Sequence, residues 1–157
     1  SILWLLKNNE IASKNLLKEA EKRNVDPSRI IFADKLIYSE HLSRFELMDL
    51  FLDTFPYNGH TTVIEAIRRK VPTLTIMGQS FASRVAGSIL NSLDLNELIS
   101  NNLEEYIKIA VDVSEDVNKF NNIKKKIDLE KTKILFDSNR YTKNLENLYI
   151  NLYQKHF

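Results

Sequence analysis

The chain has 157 residues, 43% apolar and 27% charged, a balance suited to one soluble globular domain with a real core. Its net charge of +1 argues against a general electrostatic grip on nucleic acid or an anionic membrane, and the lack of cysteine excludes disulfides and thiolate metal sites. No apolar run approaches the length of a membrane span and no signal peptide is apparent, so a cytoplasmic location is expected.

Ile2 to Leu6 is an unbroken apolar run, which predicts a strand buried on both faces, as in a parallel sheet. A chain that opens on such a strand reads as cut from something longer. A sheet lacking its first strand would offer an open edge through which two copies can pair into a homo-oligomer. Ile11 to Arg23 is predicted helical, with Leu16, Leu17 and Ala20 on one side, and Arg29 to Phe32 is a second strand. Ser39 is placed as the cap of a short helix from Glu40 to Met48, on which His41 and Arg44, three apart, share a face. Asp49 to Asp53 is the third strand.

Asp53 to Thr62 is the stretch around which the rest is organised. Pro56, Asn58 and Gly59 break regular backbone, and Asn58-Gly59 suits a tight turn because both residues tolerate positive φ. His60, Thr61 and Thr62 then stand at the mouth of a helix running from Val63 to about Lys70. A helix start presents unpaired N–H groups and the positive end of the macrodipole, which suits a phosphate. In an open α/β sheet this loop also lies beyond the carboxyl end of a strand, where ligands bind.

Pro72 stops that helix, and Thr73 to Ile76 is a fourth strand. Ser80 is placed as the cap of a helix from Phe81 to about Asn91, with Ala82, Ser83, Ala86 and Gly87 forming a small-residue face for close approach to a sheet or ligand. Leu95 to Ile99 is either a short strand or a half-turn. Helices are predicted over Leu103 to Val113, capped by Asn101 or Asn102, over Val117 to Leu135, and over Asn139 to Phe157. The last carries an apolar stripe of Tyr141, Leu145, Leu148, Leu152 and Tyr153, which predicts a core-facing side. Alternating strands and helices up to residue 92 predict a Rossmann-like α/β fold, a parallel sheet flanked by helices with a helical C-terminal segment, and one domain over 1–157.

The string Asn58-Gly59-His60-Thr61-Thr62, a Pro-containing strand, and then Phe81-Ala82-Ser83-Arg84-Val85-Ala86 resemble the C-terminal catalytic lobe of the O-linked N-acetylglucosamine transferase family. Leu3-Trp4-Leu5-Leu6, Arg29-Ile30-Ile31-Phe32, Glu40-His41, Leu98-Ile99 and Glu105-Tyr106 extend the resemblance over nearly the whole chain. It implies a lobe of a GT-B enzyme, often preceded by tetratricopeptide repeats, that binds the UDP-sugar donor. The implied reaction moves N-acetylglucosamine from UDP-GlcNAc to Ser or Thr of an acceptor protein, which a missing N-terminal lobe or the repeats would bind. A sibling activity with another UDP-sugar or acceptor, such as glucose onto Asn, and a non-catalytic scaffold lobe are the alternatives.

The resemblance also implies roles. His41 and Arg44 would lie against uracil, with Leu36 to Tyr38, Leu36 and Tyr38 above all, contacting base and ribose. His60, Thr61 and Thr62 would meet the diphosphate and the sugar, His60 and Thr61 carrying the catalytic contribution, and Glu65 would hold the ribose hydroxyls. The animal enzyme of the family has Asp in place of Glu65 and Lys in place of Tyr38, and the family Lys that neutralises the leaving phosphate falls upstream of Ser1. Neither a metal nor another cofactor is expected: no Asp-x-Asp pair is present, and oriented dipoles and hydroxyls can steady the departing UDP. Simpler roles exist for the same residues. Thr62-x-x-Glu65 fits a capping box, His41 and Arg44 fit a solvated helix face, and Arg84 fits a structural partner for a carboxylate.

Overall fold

The computed structural model describes residues 1–127 and 129–156. The chain divides into two compact units, Ser1–Arg44 and Phe45–Phe157. Both are mixed α/β, with parallel strands and helices alternating as the apolar pattern requires.

In the first unit, β1 (Leu3–Leu6) pairs in parallel with β2 (Ile30–Ala33), Leu3 opposite Ile30 and Leu6 opposite Ala33. Helix α1 (Glu10–Lys22) joins them, and its first turn is closed by the Asn9 side chain, which accepts the Ala12 N–H at 2.8 Å. The expectation that Ile2 to Leu6 is buried on both faces does not hold. Leu3 is 41% and Leu6 54% exposed, because among the described residues this sheet has two strands and β1 lies at its edge. Helix α2 (Tyr38–Arg44) begins before the expected Ser39 cap. Ser39 lies inside it, and the chain tightens into a 3-10 turn at Phe45–Leu47 in place of helix as far as Met48.

In the second unit, β3 (Phe51–Leu52), β4 (Thr73–Ile76) and β5 (Ile99–Ser100) form a parallel sheet in the order β3-β4-β5. All four β4 residues are buried, as a central strand demands. Leu95 to Ile99 resolves into a 3-10 turn, Asn96–Leu98, followed by β5. Helix α3 (Thr61–Arg68) contributes Val63 and Ile67 to the core, and α4 (Val85–Ser92) contributes Ala86 and Leu90. Leu93, Leu95 and Leu98 fill the same core, together with Val113 of α5 (Leu103–Glu115) and Ile123 of α6 (Val117–Lys126). Removing each of the Val, Leu and Ile side chains from water contributes roughly 1.5–3 kcal/mol. A second cluster joins Phe45, Ala66 and Val71, with the Phe45 and Phe51 rings 6.3 Å apart.

The helix before α4 also starts differently. Phe81–Ser83 is a 3-10 turn, tied by the Ser80 N–H donating to Ser83 Oγ at 3.1 Å, and α4 begins only at Val85. The single helix expected over Val117 to Leu135 is broken. Ile127 leaves helical geometry at φ −75°, ψ 69°, and α7 (Leu129–Thr132) and a 3-10 turn at Lys133–Phe136 follow; Asp128 lies outside the described residues. Helix α8 (Ser138–His156) buries no residue. Its stripe is therefore an outer face and not core: Leu145 is half-buried, and the other four run from 46% exposed at Leu152 to 68% at Tyr141; the expected last position, Phe157, lies outside the described residues. No helix among the described residues is long and apolar enough to cross a membrane.

Candidate functional site

The second unit builds the loop from its base upward. Asp53, next after β3, donates its N–H to Leu74 O at 2.9 Å, which extends the ladder to β4 by one step. Its side chain is 6% exposed; the Gly59 N–H donates to Oδ1 at 2.6 Å and the Thr75 hydroxyl to Oδ2 at 2.6 Å. Burial pushes this carboxyl above the ordinary carboxylate range, while the bonds from Thr75, Gly59 and Thr54 and the nearby His60 pull the other way. From α5, the Tyr106 hydroxyl donates to Asp53 O at 3.0 Å.

The loop then folds over this base. Thr54 Oγ1 donates to Tyr57 O at 2.6 Å, and the Phe55-Pro56 bond is cis. Asn58 is fully buried; its N–H donates to Ala82 O at 2.9 Å and its Nδ2 to Thr54 O at 3.0 Å. Its Oδ1 is buried with no hydrogen-bond partner among the described residues. Neither Asn58 nor Gly59 has the positive φ that their sequence suggested. Gly59 is needed for closeness instead: a Cβ there would overlap Thr62 Oγ1 and stand 3.2 Å from Asp53 Oδ1.

His60 is the N-cap of α3, and no side chain caps the helix. The amides of a first turn have no intrahelical acceptor, so they are available to a ligand. The expected helix start at Val63 is therefore two residues late, and Thr62-x-x-Glu65 is not a capping box. The His60 ring lies between Tyr57, stacked at 5.3 Å and 13°, and Phe81, edge-on at 6.0 Å and 89°. Its Nε2 is buried and meets no hydrogen-bond partner among the described residues. Thr61 and Thr62 are exposed, whereas Glu65 is buried on the inner side of α3. At the carboxyl ends of β4 and β5 opens a cavity of about 800 Å³ whose lining includes Met77, Phe81, Ile99 and Asn101, so Phe81 is shared between it and the wall of His60.

His60, Thr61 and Thr62 thus stand together on one loop and helix start. The other expected contacts belong to the first unit. Leu36 and Tyr38 are 46% and 64% exposed there. Arg44 stands over the Trp4 ring at 5.7 Å and donates to Asp34 O, and His41, one turn earlier on α2, is half-buried. Arg84 donates to Gly78 O at 3.3 Å, a carbonyl in place of the expected carboxylate. Among the described residues, no three His, Asp or Glu side chains gather where they could share a metal ion.

Sequence reasoning missed Asp53, Asn58 and the Tyr57–Phe81 wall. The available signal was an acid directly after an apolar strand, six residues before a glycine that opens a helix.

Comparison with known proteins bears on this site. Residues 1–145 match the family described as glycosyl transferase family 41. The chain is 37% identical over 149 residues to the UDP-N-acetylglucosamine--peptide N-acetylglucosaminyltransferase of Caenorhabditis elegans, covering 94% of this chain and 13% of that protein. It is 36% identical to the probable enzyme of that name, SEC, of Arabidopsis thaliana, covering 99% of this chain and 16% of that protein. A solved structure of a mutant Thermobaculum terrenum O-GlcNAc transferase superimposes with a TM-score of 0.88 at 28% identity, over 98% of this chain and 30% of that one. The chain spans about a sixth or less of the length of the two curated relatives. With the family match reaching from residue 1 to 145 and through the whole Asp53–Thr62 loop, this chain belongs to glycosyl transferase family 41.

Proposed function

We propose that this chain is the donor-binding lobe of a protein O-glycosyltransferase, which passes N-acetylglucosamine from UDP-GlcNAc to Ser or Thr of an acceptor protein. The observation that carries this reading is the start of α3: exposed Thr61 and Thr62, no side-chain cap, and His60 held beside them by two aromatic rings. Transfer of a sugar leaves negative charge on the departing UDP, and amides and hydroxyls fixed beforehand stabilise that charge without reorganising. Thr61, Thr62 and the first-turn amides take the diphosphate, and His60 takes the diphosphate or the sugar beside it. Family likeness assigns His41 and Arg44 to uracil, Leu36 and Tyr38 to base and ribose, and Glu65 to the ribose hydroxyls.

The experiment is titration of UDP into this chain and into its Thr61→Ala variant. Loss of one hydroxyl to a charged phosphate corresponds to a weakening of about tenfold or more. Wild-type chain that fails to bind UDP at millimolar nucleotide, or a Thr61→Ala variant that binds it equally well, overturns the reading. Competition of UDP-GlcNAc against UDP-glucose then tests the sugar.

A further inference from the structure

The loop that presents His60, Thr61 and Thr62 is anchored at its base by a buried carboxylate. Asp53 Oδ1 takes the Gly59 N–H at 2.6 Å, and Oδ2 takes the Thr75 hydroxyl, from the central strand β4, at 2.6 Å. Both distances are in the short range of charge-assisted bonds. Gly59 directly precedes His60, so this one carboxylate sets where the first residues of α3 stand relative to β4. The closeness is enforced: a Cβ on Gly59 would reach 3.2 Å from the same oxygen. Thr75 is fully buried, and Tyr106 ties the Asp53 carbonyl to α5 at 3.0 Å. The anchor is thus fastened to the central strand and to a helix, while Thr61 and Thr62 remain exposed.

We infer that Asp53 is a positioning residue for a diphosphate, acting through Gly59 to aim the first-turn amides and hydroxyls of α3, with Thr75 as the group that orients the carboxylate. This rests on the donor-binding reading and extends it to two residues that touch no ligand themselves. An acid beneath an anion site is costly unless it does geometric work, because its charge opposes the ligand's. Here the Gly59 amide lies between the carboxylate and the helix start, and Oδ1 and Oδ2 each have a donor.

The test uses this chain with Asp53→Asn, Thr75→Val and Thr75→Ser. UDP affinity is measured well below each variant's melting transition, where the folded state is fully populated, and Gly59 amide exchange is followed alongside. Asp53→Asn is expected to weaken UDP about tenfold and Thr75→Val about threefold to fivefold, on the scale of hydrogen bonds to charged groups. Thr75→Ser keeps the hydroxyl and restores wild-type affinity. Faster Gly59 exchange in the two weakened variants completes the expected result. A lower melting temperature with unchanged UDP affinity would make Asp53 merely structural and overturn the inference. If Asp53→Asn does not fold, Thr75→Val against Thr75→Ser decides. Wild-type chain that binds no UDP defeats the donor reading itself, whereas wild-type binding with indifferent variants defeats only this inference.

Discussion

The phenolic hydroxyl of Tyr106 on α5 donates to the backbone carbonyl of Asp53, 3.0 Å away and 53 positions earlier in the chain. The bond crosses from the helix that follows β5 to the residue next after β3, so it links the segments that leave the two edge strands of the three-stranded sheet. Burial first, and the Asp53 charge second, push the phenol up to about 12. Tyr106→Phe removes the donor and is expected to cost about 1 kcal/mol, a drop in Tm of about 2–4 °C for a chain of this size. Ultraviolet titration should show one of the six tyrosines ionising last, and that step should vanish in the variant. The folded phenol holds its proton more tightly than the unfolded one. Stability from Tyr106 is therefore complete below the ordinary tyrosine range and is lost as pH rises towards 12.

Asp53 predicts a second pH dependence in the acid range. Its carboxyl is raised mainly by burial, so the folded state holds the proton above the pH at which the unfolded chain has released it. Stability contributed by this group is then greatest below the ordinary carboxylate value of 3.8 and falls as pH rises through the raised folded value. Denaturant unfolding of wild-type chain and Asp53→Asn across this range isolates the effect, since all other carboxylates are common to both. The difference, wild type minus variant, should decline with rising pH. A flat difference would mean that the bonds from Thr75 and Gly59 fully offset the burial.

Gly78 marks another close approach, one that positions Phe81 rather than Thr61. A Cβ there would overlap Ser83 Oγ, lie 2.8 Å from Ser83 Cβ and stand 3.1 Å from Phe55 Cε2. Ser83 is buried and bonded to Ser80 O at 3.0 Å, so it cannot swing away. Gly78→Ala is expected to destabilise by about 1–3 kcal/mol, the range for overpacking. It should also displace the Phe81–Ser83 turn and with it the edge of Phe81 against His60. Chemical unfolding reads the first effect, and the chemical shifts of the His60 ring protons read the second.

The alternation of strands and helices was legible because burial imposes it. Thr73 to Ile76 follows a proline and has no charged break, only β-branched Thr between apolar residues, and it is, among the described residues, the strand buried at every position. Element starts were less legible, because caps compete: Ser39 and Thr62 are good capping residues that lie inside α2 and α3. The stripe on α8 shows the limit of periodicity, which identifies an apolar face but not whether anything covers it. At the site, His60-Thr61-Thr62 could be read because helix starts favour anions wherever they occur. Asp53 could not, since its partners, Gly59 and Thr75, are joined only by the fold. Left-handed backbone could not be placed for the same reason. Asn58-Gly59 tolerates it and suits a tight turn, but among the described residues it occurs at Asn24, Lys70 and Asp94.

Those three residues share one structural role, which yields a final prediction. Asn24, Lys70 and Asp94 each follow a helix end, at φ 56°, 58° and 58°. After each, the next N–H reaches back five residues: Val25 to Ala20 O at 2.9 Å, Val71 to Ala66 O at 2.9 Å and Leu95 to Leu90 O at 3.0 Å. This is the Schellman arrangement, which glycine fills most easily. Asn and Asp tolerate the left-handed region through local hydrogen bonding, but Lys has no such compensation. Its side chain is exposed, so replacement removes no core contact. Lys70→Gly is therefore expected to stabilise the chain by about 0.5–1 kcal/mol, the left-handed penalty of about 1–2 kcal/mol less the added entropy of a glycine in the unfolded chain. Asp94→Gly, starting from a residue better suited to the geometry, should gain less. Denaturant midpoints of the two variants against wild type check both the sign and the order, and a loss of stability in Lys70→Gly would show that the lysine is held at that φ by contacts worth more than the strain.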